Sequence, residues 1–382
     1  MGQIYEIRYS GPATKPGLPR TIREIELGGE FPAKIWNCRE EVEANDILIF
    51  EADSTTTWPF RRASNNSYSL PASADDMEWK TACASTLSAM RFPTAVKAIY
   101  RLPHLHRTRS LQAAFMNSQA KYLPTLNCSN LCTDIGAMCC NAKNLVEADL
   151  SLMDTSNVTA MYQLFNGCTS LERVNLDGLD TSKVKSLGLF FADSAIKDVN
   201  LDGLDTRNCE NLSSFFADCP NIQFVIIRGE LFDTGKVKIF DGFACRCSSL
   251  RAVDLRTFRT SPEGGVSCYG MFSNSPSLQD IMFEDFDMSN VSNVDSMFAN
   301  CTALRNLRGL TNFVKSIDFG YCPNLSRDSV GLIFDELSYV DEPQTLTLNG
   351  GVKDKVSDEQ LAAATAKGWT VVFTAPASDE PL

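Results

Sequence analysis

One pattern recurs from the middle of the chain onward, and it limits the fold more than any other feature. Its core is Phe-x-x-Cys-x-x-Leu-x-x-hydrophobic-x-hydrophobic. The clearest copy, FNGCTSLERVNL, holds Phe165, Cys168, Leu171, Val174 and Leu176. Further copies are FADSAIKDVNL (Phe191 to Leu201, one residue short), FADCPNIQFVI (from Phe216, continuing to Ile227) and CSSLRAVDL (Cys247 to Leu255). Then come FSNSPSLQDIMF (Phe272 to Phe283) and FANCTALRNL (Phe298 to Leu307). A worn copy, CNAKNLVEADL, precedes them from Cys140, and FGYCPNL ends the series at Leu325. The last apolar positions, Leu150, Leu176, Leu201, Ile227, Leu255 and Phe283, lie 26, 25, 26, 28 and 28 residues apart, and Leu126 and Leu102 extend the ladder upstream. A copy this short cannot bury its own apolar face, whereas stacked copies bury a continuous one, so the period predicts a solenoid.

Within a copy, the end of Leu171-x-x-Val174-x-Leu176 alternates as a strand does. A second string follows: MDTSNV from Met153, LDTSKV from Leu179, LDTRNC from Leu204, FDTGKV from Phe232 and FDMSNV from Phe286. Its Asp, Ser and Thr side chains are suited to bonding nearby backbone N–H groups, which predicts a turn and a cap. A short helix is expected after it, holding Met161, Leu164 and Phe165, or Val294, Met297 and Phe298.

The two strings, in constant order, resemble the BspA-type leucine-rich repeat, whose typical unit reads FDTSNVTNMSxMFxxCxSLxxLDLSx. The resemblance covers about 96–325. SPEGGV (Ser261–Val266) departs from it, replacing the turn with a longer loop in a 28-residue copy. The resemblance implies an α/β leucine-rich-repeat solenoid of about 25-residue units. It also implies the work such proteins do: surface adhesion and host interaction in bacteria and protists, or service in phage and prophage virions.

The ends depart from the repeat. In residues 1–95, IYEIRYS, TIREIELGG, AKIWN and DILIFEAD alternate as strands, and three of the four tryptophans (Trp36, Trp58, Trp79) lie there. Ser73-x-x-Asp76 opens a helix predicted to run to about Met90, before Pro93. This predicts a β-rich N-terminal domain ending in a helix that caps the stack. Residues 326–374 predict an α/β C-terminal cap: a helix in RDSVGLIFDELSY, a strand in QTLTLNG, a helix in VSDEQLAAATAKG ended by Gly368, and a strand in WTVVF. Residues 375–382 read as a disordered tail.

Chemistry has little material. The formal charge of −12 argues against nucleic acid, because phosphate neutralisation needs a basic surface. His104 and His106 are the only histidines. Cys128, Cys132, Cys139 and Cys140, with either histidine, have the makings of a zinc cluster, but small core residues in worn copies explain them as well. Cys168, Cys219, Cys247, Cys301 and Cys322 occupy one repeat position, with Ser194 and Ser275 as substitutes, and predict a buried ladder of reduced thiols. Asp154, Asp180, Asp205, Asp233 and Asp287 supply one carboxylate per copy, which suits turn capping better than calcium. The Asn-x-Ser/Thr sites at Asn157, Asn290 and Asn300 arise from the repeat. P-loop, nucleophile-elbow and HExxH signatures are lacking, so no enzyme activity, cofactor or metal is expected. The start MGQIYEIRYS lacks a signal peptide's apolar stretch and no run reaches the ~20 apolar residues of a membrane span, so export without a leader and no membrane insertion are expected.

Function is therefore expected from a surface. Alternation places three rows on the outward face of the strands. One is Glu147, Arg173, Asp198, Phe224, Ala252 and Asp280. The central row is Asp149, Asn175, Asn200, Ile226, Asp254 and Met282, and the third is Ser151, Asp177, Asp202, Arg228, Arg256 and Glu284. Phe224, Ile226 and Met282 form apolar spots flanked by charge, as a protein contact does. The combined expectation is a virion surface protein of a bacteriophage. Its N-terminal domain docks on virion components, its solenoid face meets a host protein or glycan, and a homo-oligomer is compatible with both. The alternative is a bacterial cell-surface adhesin.

Overall fold

The computed structural model describes residues 110–118, 120, 121, 123 and 130–375, together with the backbone of six earlier strands. The expected helix at 73–90, His104, His106, Cys128 and the tail beyond 375 lie outside the described residues. The fold is mixed α/β, with mostly parallel strands and few helices. The chain divides into two compact units, Met1–Val184 and Lys185–Leu382.

The first unit opens with β1 (Gln3–Tyr9), β2 (Leu18–Glu26), β3 (Gly29–Glu30), β4 (Lys34–Cys38), β5 (Ile47–Ala52) and β6 (Val96–Arg101). They form an antiparallel sheet in the order β3-β2-β1-β5-β6, with β4 also on β2. The alternating segments of the N-terminal sequence are thus strands. Farther on, β7 (Glu147–Asp149) and β8 (Arg173–Asn175) pair in parallel, Ala148 opposite Val174. The periodic Leu145, Leu150, Leu171 and Leu176 all point inward and are buried.

In the second unit, β9 (Phe224–Ile226), β10 (Ala252–Asp254), β12 (Asp280–Asp287) and β14 (Asn306–Thr311) form a parallel sheet, the order along it being β14-β12-β10-β9. β11 (Val266–Ser267) pairs with β13 (Val291–Asn293) separately. Register aligns Val225, Val253, Ile281 and Leu307 across the sheet, and all four are buried. Behind them the phenylalanines of successive copies stack. Phe191 lies 5.7 Å from Phe216 at 6°, and Phe298 lies between Phe272 at 6.1 Å and Phe319 at 5.0 Å. Gly309 sits in the left-handed region (φ 75°), where a Cβ would collide with the Phe283 carbonyl, so the bulge between β12 and β14 demands glycine.

Two expectations need correction. The first is the short helix after each turn. Those segments are successive tight turns, and the described residues hold α-helix only in α1 (Arg327–Asp335) and α2 (Asp358–Ala366). Each copy puts two residues four apart into the left-handed region: Gln163 and Gly167, Leu189 and Asp193, Ser214 and Asp218, Gly242 and Arg246, Ser296 and Asn300. This breaks the helix and turns alternate N–H groups toward the next copy. Phe240, Gly242, Ala244 and Arg246 donate to the carbonyls of Ser267, Tyr269, Met271 and Ser273 at 2.8–2.9 Å. The spacing explains the choice. Paired strands stand ~4.8 Å apart and packed helices ~8–10 Å apart, so turns bonded like strands match the sheet where helices would not.

The second concerns the short copy. The residue missing between Ser194 and Ile196 leaves Ile196 and Leu201 buried, yet residues 197–201 form no strand. β9 is consequently the edge strand of the four-stranded sheet.

The chain ends with β15 (Ile317–Phe319), β16 (Gln344–Asn349) and β17 (Trp369–Thr374) in a parallel sheet, α1 and α2 falling between these strands in sequence. Ser326 caps α1. Ser357 and Gln360 make a reciprocal capping box on α2, and Gly368 at φ 91° follows it. The helices and strands read in 326–374 are therefore all present.

Packing sets a stability order. Leu171→Ala and Phe298→Ala should each cost about 2–5 kcal/mol in chemical denaturation. Asp180→Ala, whose exposed carboxylate accepts from the Ser182 N–H at 2.9 Å, should cost only about 0.5–2 kcal/mol. Equal losses at all three sites would contradict the inward assignment of Leu171 and Phe298.

Candidate binding face

The strands position the face because alternate side chains leave the sheet on opposite sides. In the first unit Arg173, Asn175 and Asp177 are exposed. Arg173 meets Glu147 at 3.2 Å, and the Asn175 Oδ1 accepts the Asp177 N–H at 3.0 Å. Asn175 is thus a turn-former. In the second unit Asn200 repeats this geometry, accepting the Asp202 N–H at 3.0 Å. Both amides close a turn, Asn175 at the end of β8 and Asn200 in the strandless short copy, and present only their remaining polar atoms to solvent.

The four-stranded sheet carries the rest. Phe224 aligns with Ala252, Asp280 and Asn306, and Ile226 aligns with Asp254, Met282 and Arg308. Phe224 and Ile226 are each 51% exposed and Met282 38%, beside neighbours on the opposite side of the sheet that are buried. Asp254 is held from two sides. Arg228 reaches it at 2.9 Å and Arg256 at 3.0 Å. Partial burial opposes its ionisation, but hydrogen bonds from Arg256 and Arg228 outweigh that and hold the carboxyl below the usual carboxylate range. Glu284 is exposed, as are Arg228 and Arg256. Reading the rows only as far as β12 missed Asn306 and Arg308. The signal was in the repeat itself, since FANCTALRNL and the arginine that follows it place Asn306 and Arg308 at the phase of Asp280 and Met282.

The family model described as "Mycoplasma protein of unknown function, DUF285" matches residues 109–228 and 187–313. Together the two matches cover more than half of the chain. The chain belongs to the DUF285 family. No curated protein matches it.

The DUF285 copies also explain their cysteines. The thiols of Cys168, Cys219, Cys247 and Cys301 donate to the carbonyls of Cys139, Phe191, Phe216 and Phe272 at 3.0–3.1 Å. Ser275 does the same to Ala244 at 3.1 Å. The position needs a small donor that satisfies a buried carbonyl of an earlier copy, which is why serine substitutes there. A second donor row went unread in the sequence. Thr206, Thr234 and Thr260 hand their hydroxyls to the carbonyls of Asp233, Arg259 and Asp287 at 2.7–2.9 Å. The aspartates beside them close the turns as expected, as in the Asp233 Oδ1 accepting the Gly235 N–H at 2.8 Å.

Such thiols make poor nucleophiles. Burial pushes Cys209 and Cys219 up to about 11 and Cys301 up to about 12, and raises Cys139, Cys247 and Cys322 strongly. All eleven described cysteines are buried. Native protein titrated with a thiol reagent near neutral pH should therefore react at no more than three of its fourteen cysteines, rising to fourteen in denaturant. Fast labelling at Cys219 or Cys301 in the folded chain would contradict the buried ladder.

Proposed function

We propose that this DUF285 protein is a non-enzymatic binding protein, built as a BspA-type leucine-rich-repeat solenoid and carried on the surface of a bacteriophage virion. One observation carries the binding reading. Phe224 and Ile226 stand half-exposed, with Met282 nearby on the same face, on a sheet whose backbone is held by the copies behind it. Large apolar side chains exposed together on a rigid element are the usual anchors of protein contacts. The virion assignment draws on the repeat's resemblance and on thiols that are reduced and buried, in keeping with assembly in a reducing cytoplasm. Residues 1–95, with a different pattern and three tryptophans, are the proposed docking unit. The sheet face then meets a host protein or glycan. The second reading, a bacterial cell-surface adhesin, draws on the family description, which names a bacterium.

The chain should be found by mass spectrometry in purified particles. A full-length chain with Phe224→Asp and Ile226→Asp should enter those particles normally and attach to host cells at least tenfold less. Absence from particles, with recovery on the bacterial envelope, would shift the assignment to the adhesin. Undiminished attachment by the double variant would defeat the binding role of the face.

A further inference from the structure

The sheet that closes the second unit has an open edge. Among the described residues, β17 (Trp369–Thr374) pairs with β16 on one side and with nothing on the other. The Gly368 carbonyl accepts the Gln344 N–H at 3.2 Å, so by alternation Thr370 and Val372 turn their backbone groups toward β16. Trp369, Val371 and Phe373 turn theirs, three N–H and three C=O groups, to the open side. The core is less covered there too. Leu346 and Leu348 are fully buried, whereas Val371 and Phe373, their partners in register, are only half-buried. Proteins ordinarily blunt an edge strand with charge, proline or a bulge, or cover it with another element. β14 is covered in this way, its Leu307 N–H donating to the Ser329 hydroxyl of α1 at 3.0 Å. β17 has none of these protections. Its sequence, WTVVFT, holds no charge, proline or glycine, and it pairs with β16 without a bulge.

We propose that β17 pairs with β17 of a second copy, antiparallel, about a twofold axis at Val371. In that register Val371 lies opposite Val371 of the second copy, Trp369 opposite Phe373, and Thr370 opposite Val372. The three N–H and three C=O groups on each strand then make six hydrogen bonds, and none is left over. The side chains match as well. Opposite residues share a face of the sheet, so Val371 and Phe373 are covered by Val371 and Trp369 of the second copy and the apolar row of Leu346 and Leu348 continues across the seam. Aromatic and β-branched pairs of this kind favour a sheet. The uncharged strand also lets two copies of a chain of −12 meet with no like charges opposite each other at the seam. Other occupants fit less well. The chain's own segment after Thr374, APASDEPL, brings two prolines and two acids, residues depleted in ladders. A strand of another protein would meet the same backbone groups, but the twofold matches β17 to itself in side chains too. This pairing is independent of the binding role given to Phe224 and Ile226, which lie on a different sheet.

Sedimentation of the full-length chain tests the pairing, with two double variants at the exposed Thr370 and Val372. Thr370→Lys plus Val372→Lys sets lysines opposite each other across the seam and should weaken self-association at least tenfold. Thr370→Glu plus Val372→Lys sets opposite charges there, because position 370 meets position 372, and should leave it within about threefold of the parent. Unchanged circular dichroism would show that both variants fold. In the parent dimer the amides of Val371 and Phe373 should exchange slowly with deuterium, and in the double-lysine variant they should exchange fast. Self-association indifferent to the two lysines would place the contact elsewhere, and self-association weakened equally by both variants would exclude this register. Either result overturns the proposal. A parent that stays monomeric up to about 100 μM overturns it as well. Slow exchange at Val371 and Phe373 in such a monomer would give the edge to the chain's own segment after Thr374, and fast exchange would leave it for a strand of another protein.

Discussion

The structure depends on hydrogen bonds that leave each copy for the next. A buried backbone group left unpaired costs about 1–3 kcal/mol, so every copy must place its carbonyls and N–H groups somewhere. The strands do this on one side. On the other side the turns do it, four N–H groups per step, because left-handed residues at fixed intervals aim them at the neighbouring copy. The thiol and threonine rows answer the same need with side chains. Their identity is set by donor capacity and small volume, which is why the stack tolerates Ser275 where most copies keep cysteine. The aromatic stack and the inward leucines then fill the space that this hydrogen-bonded frame encloses.

Once the frame is fixed, the outward positions are free to vary, and they do. Val225, Val253, Ile281 and Leu307 are nearly uniform, whereas Phe224, Ala252, Asp280 and Asn306 on the opposite side of the sheet share no property. Stability constrains the first row and not the second. A surface that can change without unfolding the chain is a suitable place for recognition. The short copy adds to this by ending the four-stranded sheet at β9, where Phe224 and Ile226 sit.

Much of this was legible in the residues. The apolar ladder from Leu150 to Phe283, the strands it implies, the Asp-closed turns and the helices of 326–374 follow from spacing and capping signals. The helix assigned after each turn did not survive. Met161, Leu164 and Phe165 have helical spacing, but the same spacing serves overlapping turns, and only the left-handed residues Gln163 and Gly167 tell them apart. Three of those left-handed positions are Gln163, Leu189 and Ser214, types with no strong preference for that region, so local propensity hides them. The threonine row was hidden for another reason. Its partners are carbonyls 25–27 residues away, and no local rule reaches that far. On the face, alternation placed every named residue outward. It could not show that Asn175 and Asn200 are tied to their own turns or that Asp254 is bound by two arginines.

Native-state hydrogen exchange on the turn segments tests the frame most directly. The amides of Phe240, Gly242, Ala244 and Arg246 each donate to the next copy, so they should exchange only through global unfolding, as slowly as those of Val225 and Val253 in the sheet. Exchange at Gly242 and Arg246 as fast as in the exposed loop around Glu263 would mean that the turns carry no load and that the copies are joined through their strands alone.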